Sequence, residues 1–150
     1  MRYEKYNDHP IEPIIELDIE ALEDFYPLIK DVYSRNDLYD ISNYYENGEF
    51  YVLLDGDDQI IGTCAYLIKD PTTVELKRIR IKKNLRGNGL GTQLIFFLED
   101  KIKAAGFKTI ILNTSIMRES TLKFYEKMGF EVTGKEPYGG IELVYFKKEL

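Results

Sequence analysis

The chain has 150 residues, 44% of them hydrophobic and 31% charged, with a formal net charge of -6. That length can bury a proper core in one domain, expected over residues 1–150, and the acidic balance makes the whole chain a poor nucleic-acid binder. No apolar run approaches the ~20 residues of a membrane span, and the polar start, Met-Arg-Tyr-Glu-Lys-Tyr-Asn-Asp-His, lacks a signal h-region.

One cysteine, Cys64, excludes an intrachain disulfide and argues for a reducing, cytoplasmic setting; its strand-like surroundings make it a packed residue rather than a nucleophile. The sole histidine, His9, has no second histidine to share a metal or triad and reads as surface, so no metal is expected.

Residues 11–17 alternate loosely and predict an edge strand, where Pro10 and Pro13 are tolerated. Asp18 is the expected N-cap of a helix in which Leu22, Phe25, Tyr26, Ile29, Val32 and Tyr33 keep helical spacing, with Pro27 as a kink. A short second helix over 38–46 closes on Asn47-Gly48. Strands over 50–54 and 59–68 flank Asp55-Gly56-Asp57-Asp58, a hairpin turn, and Asp70-Pro71 turns the chain into a strand over 74–82.

That strand slips phase: Val74 and Leu76 are apolar at even positions, Ile79 and Ile81 at odd ones, as a β-bulge would require. A bulge leaves amides without ladder partners, and buried amides need a partner, which a ligand chain can be. Next come Arg86-Gly87-Asn88-Gly89-Leu90-Gly91 and a helix with the apolar stripe Leu90, Leu94, Phe97, Leu98 and Ile102. Lys77, Arg78, Arg80, Lys82, Lys83 and Arg86 supply cations with no carboxylate between them. Glycines, a helix start and a cation cluster together favour a phosphate or pyrophosphate cradle over an ordinary turn with solvated lysines. The P-loop pattern fails, because Gly91 is not followed by Lys and then Ser or Thr; a dinucleotide fingerprint is weak, because Thr92 stands where a third glycine belongs.

Residues 108–114 carry the continuous run Ile110, Ile111, Leu112 of a strand covered on both faces, ending in Asn113, Thr114 and Ser115. A helix over 117–128 follows, with Thr121, Phe124 and Met128 on its apolar face and Tyr125 one step off it. A final hairpin pairs 131–133 with 141–147 across Tyr138-Gly139-Gly140.

The Arg86-x-x-Gly89-x-Gly91 pattern after a strand resembles the acyl-CoA-binding motif of the GCN5-related N-acetyltransferases, and Leu122 to Phe130, with Tyr125 three residues before Gly129-Phe130, is similar to that family's second signature. The resemblance covers residues 50 to 150 well and the first 50 loosely. It implies an α+β fold: a mixed, mostly antiparallel twisted sheet of about six or seven strands, helices on both faces, and a splay between the fourth and fifth strands. It also implies acetyl transfer from acetyl-CoA to a primary amine of a small molecule, peptide or protein, directly within a ternary complex. The alternative is a non-catalytic acyl-CoA-binding sensor of the same fold.

By this resemblance Ile79, Arg80 and Ile81 hold the pantetheine, and Arg86, Gly87, Asn88, Gly89, Leu90, Gly91 and Thr92 hold the pyrophosphate. Asn113 is either a cofactor contact or a turn residue. Tyr125 protonates the leaving thiolate, unless it is simply a packed tyrosine. Glu75 is either the general base or a surface carboxylate paired with Lys77 or Arg78. Tyr33 and Tyr39 are the expected acceptor-side residues. Arg118 stands where many relatives carry Asn, and no role is carried over to it. Acidity of the whole chain favours a cationic acceptor by steering. The C-terminal strand often mediates dimers in similar proteins, so a homodimer is one option, and the sequence itself leaves the oligomeric state open.

Overall fold

The computed structural model describes residues 1–115 and 118–150. Among the described residues seven strands form one sheet: β1 (Arg2–Lys5), β2 (Gly48–Leu54), β3 (Ile60–Asp70), β4 (Thr73–Ile81), β5 (Thr109–Thr114), β6 (Glu131–Tyr138) and β7 (Ile141–Glu149). Their order is β1-β2-β3-β4-β5-β7-β6. Every neighbouring pair is antiparallel except β4 and β5, which are parallel. The helices are α1 (Ile11–Leu22), α2 (Tyr26–Ile29), α3 (Ile41–Tyr44), α4 (Leu90–Ala104) and α5 (Glu119–Lys127). The expected fold class is therefore the observed one.

Two apolar layers sandwich the sheet. On one face Leu94, Ile95, Leu98 and Ile102 of α4 pack with Val74, Leu76, Ile110, Leu112, Tyr125 and Phe146. On the other, Ile14 and Leu17 of α1 join Leu38, Ile41 and Tyr45 over Val52, Leu54 and Ala65. The hairpin turn at 55–58 is present, with Asp58 at φ 61 and the Asp55 carboxylate accepting from the amides of Asp57 and Gln59. Cys64 is buried and unpaired.

The N-terminal third departs from expectation. Residues 11–17 are helix, not edge strand: Pro10 caps α1 and Pro13 lies in its first turn, where no intrahelical amide is needed. The buried positions Ile14, Leu17, Asp18, Ala21 and Leu22 keep a 3.6-residue period. Asp18 is therefore no N-cap; it occupies the buried stripe. The true edge strand is β1, within the stretch read as a polar leader. There Tyr3 turns inward and stacks on Phe97 with centroids 4.0 Å apart. His9 is only part-exposed, its ring hydrogen-bonded to Glu4 and to the Asn7 amide. The long helix expected to reach Tyr33 is two, α1 ending at Leu22 and the single-turn α2 ending at Ile29, and the helix over 38–46 is a 3-10 turn, Asn36–Tyr39, followed by α3. β6 runs on to Tyr138. The expected helix start at Met117 lies outside the described residues; Tyr125, read as off the apolar face, is the buried residue of α5.

Candidate active site

β4 and β5 part company early. They pair only through Thr73↔Thr109, Val74↔Ile110 and Glu75↔Ile111; beyond these, the edge of β4 from Leu76 to Ile81 has no strand partner among the described residues. On its other edge β4 bulges: Thr63 pairs with Arg80 and Ala65 with Lys77, so Arg78 and Ile79 together oppose Cys64. Arg78 sits at φ 54, an uncommon conformation for a residue with a Cβ, and its carbonyl accepts from the Thr63 hydroxyl at 2.7 Å. The phase slip in the strand is this bulge.

The glycine turn closes one end of the opening. Gly87 and Gly89 adopt φ 83 and 81, and Gly89 caps α4, a geometry that costs a side-chain-bearing residue energy. The first helical bond runs from Gln93 N to Gly89 O, so the preceding amides have no partner within the helix. Gly91 allows α5 close: a Cβ there would meet the Phe124 ring at 3.3 Å. Arg86 and Arg118 line this end. Burial, and then the charge of Arg118, push the Arg86 guanidinium down, so two like charges already sit together there. Arg118 is held by the Asp24 carboxylate at 3.0 Å and lies over the Phe25 ring.

Between these parts lies a cleft of about 610 Å³, a size typical of small-molecule sites. Ile79, Arg80, Ile81, Arg86, Gly87, Gly89, Leu90, Gly91, Thr92, Asn113, Tyr125 and Tyr33 all line it. Three expected residues do not. Asn88 turns back to donate to the Leu85 carbonyl at 3.2 Å. Tyr39 is 63% exposed. Glu75 lies next to the zipped part of the strands, receiving Asn113 Nδ2 at 3.5 Å and Lys69 Nζ at 4.0 Å rather than Lys77 or Arg78.

Tyr125 is 8% exposed and packed against Phe124, Phe130 and Phe146. Burial pushes its phenol up, opposed by the nearby Arg80 charge, so it keeps its proton at neutral pH.

The cation cluster is less free than its sequence implies. Arg78 donates to Asp37 at 3.0 and 2.5 Å, to Asp18 at 2.9 Å, to the Ser34 carbonyl at 3.0 Å and to the Tyr33 hydroxyl. Arg80 and Arg35 also donate to Asp18, at 3.1 and 2.9 Å, and Lys83 pairs with Glu23. Burial alone would raise the carboxyl of Asp18; Arg80 and then Arg78, with bonds from Tyr33 and Arg35, hold it at about 2. Asp37 is likewise lowered, the bond and charge of Arg78 outweighing burial. Sequence pattern made Asp18 a helix cap and gave Asp37, in the 3-10 turn, no role; for Asp18 one signal exists, since a carboxylate at a buried position of the α1 stripe requires cationic partners.

An opened parallel strand pair, a bulge in one of its two strands and a glycine turn at a helix start define the fold class of the N-acetyltransferases. The chain belongs to the Acetyltransferase (GNAT) family, whose model matches residues 14–130. It is 35% identical over 118 residues to "Probable N-acetyltransferase 14" of Xenopus tropicalis, covering 76% of this chain and 57% of that protein. The chain spans about half the length of the first curated relatives it matches. Among solved structures, an acetyltransferase from Streptococcus agalactiae superposes with TM-score 0.85 at 23% identity, covering 99% of this chain and 98% of that one. A GNAT family acetyltransferase from Elizabethkingia anophelis with acetyl-CoA bound superposes with TM-score 0.74 at 22% identity, covering 99% and 97%.

Proposed function

We propose that residues 1–150 act as one N-acetyltransferase domain, moving an acetyl group from acetyl-CoA to a primary amine directly, with both substrates bound. The observation that carries this is the continuous cleft lined by the glycine turn, the unpaired edge of β4 and the phenol of Tyr125.

The chain's groups fit acetyl-CoA at each point. The free amides at the start of α4, with Arg86 and Arg118, suit the pyrophosphate. The open edge at Ile79, Arg80 and Ile81 suits the pantetheine amides, and Asn113 and Thr114 stand on the opposite strand. The co-substrate supplies an acetyl group already activated as a thioester.

The residues then supply the rest. Main-chain donors on the opened strand face the carbonyl oxygen as negative charge grows there. Tyr125, kept protonated by burial, gives its proton to the departing sulfur and regains one from solvent. Glu75 takes the amine's proton through an intervening water, since it does not line the cleft itself. Tyr33 forms part of the acceptor wall; Tyr39 does not reach it. The buried unpaired Cys64 accords with a reducing, cytoplasmic setting. Among the described residues no helix is long and apolar enough to cross a membrane.

The test is free-thiol release from acetyl-CoA with a panel of amines and peptides. Release that requires both substrates supports the reading. No release with any acceptor, with no thermal stabilisation by acetyl-CoA, overturns it.

A further inference from the structure

The residues lining the cleft include Lys77, Arg78, Arg80, Arg86 and Arg118 and, among the described residues, no aspartate or glutamate. This reverses the sign of the chain, whose net charge is -6, and with it the expectation of a cationic acceptor. Arg86 and Arg118 stand at the glycine turn and are matched to phosphates. Lys77, Arg78 and Arg80 lie on the bulged stretch of β4, away from that turn.

Of these, Arg78 has no donor to spare. Its Nε and both Nη atoms are taken by Asp37, Asp18, the Tyr33 hydroxyl and the Ser34 carbonyl, which together use all five N–H groups of a guanidinium. Arg80 spends Nε on Asp18 and one Nη1 donor on the Ile79 carbonyl. The remaining donors belong to a side chain that lines the cleft. Among the described residues, the three guanidiniums of Arg35, Arg78 and Arg80 pair with two carboxylates, those of Asp18 and Asp37. The part-buried cluster therefore carries an excess positive charge, a state an incoming anion relieves. Glu75, on the same strand, is engaged by Lys69 and Asn113. The same cleft has an apolar wall of Tyr138 and Leu143 on the β6–β7 hairpin. That hairpin is fixed to α2 by the bond from Gly140 N to Leu28 O at 2.7 Å.

The geometry points to an acceptor amine that carries its own carboxylate, an amino acid rather than a polyamine, with Arg80 receiving that carboxylate. This rests on the acetyl-transfer reading above.

Matched acceptors test it: phenylalanine, phenylalaninamide and phenethylamine, with lysine against cadaverine, in the thiol-release assay. Removing the carboxylate should lower kcat/KM roughly 10- to 100-fold, as expected for a hydrogen bond to a charged group, mostly through KM. Arg80→Gln should erase that difference; if this variant does not fold, the matched pairs on the unaltered protein decide. Equal or faster acetylation of cadaverine and phenethylamine overturns the inference and leaves acetyl transfer standing. No thiol release with any of these acceptors overturns the inference, and acetyl transfer falls with it only if acetyl-CoA also gives no thermal stabilisation.

Discussion

The two ends of the cleft are built in opposite ways. At the glycine turn everything is local: six consecutive residues, Arg86 to Gly91, set the backbone angles and aim the start of α4. At the bulge, the shape of β4 depends on residues far away in sequence, since Arg78 reaches Asp18 and Asp37 across 60 and 41 positions. Local geometry survives substitution elsewhere, whereas a buried charge network fails as a unit.

The sharpest way to break this comparison is to remove the cation at the centre of the network. Arg78→Met leaves two buried carboxylates short of a partner and should cost about 3–5 kcal/mol in denaturant unfolding. A loss below ~0.5 kcal/mol, as for a surface site, would show that the network does not hold the bulge. Tyr125→Phe should come next, lowering kcat roughly 100-fold while acetyl-CoA affinity, read by calorimetry, stays near normal; equal losses would make Tyr125 a packing residue.

Acid titration separates the two ends without mutation. The carboxyl of Asp18 is depressed from an ordinary 3.8 to about 2. Its contribution is thus fully present above about pH 4 and lost as the pH falls through 2, a change of roughly 2 kcal/mol. Asp18→Asn should flatten that part of the stability curve. Backbone strain provides a finer test: with φ at 54, Arg78→Gly should be about 1 kcal/mol more stable than Arg78→Ala, although both fall below the unaltered protein. The smallest effect is kinetic. Glu75→Gln should lower kcat with acetyl-CoA affinity unchanged, and an unaltered kcat excludes Glu75 as the base.

Much of the site was legible because it is written in short-range pattern. The slip from Leu76 to Ile79 marked the bulge, Gly87 and Gly89 marked the left-handed turn, and the run at 110–112 marked β5, although that strand is buried on one face only: Ile110 and Leu112 enter the core and Ile111 stays half-buried on the other side. The N-terminal helix was misread because Pro10 and Pro13 suggest an edge strand when their position in a first helical turn is not known. Asp18 looked like a cap for the same reason, and Arg118 carried no local signal at all.

By itself, then, the order of residues determined the core of strands β2 to β7, the turn, the helix after it and the family to which they belong, because each depends on neighbours within a few positions. The folded chain alone decided which cations are spent and which remain available. Arg78 and Arg80 are two apart in sequence, yet one is saturated by Asp18 and Asp37 and the other still has donors at the cleft. Charge pairing follows distance in space, and only the packing of α1 against β4 brings those carboxylates within reach.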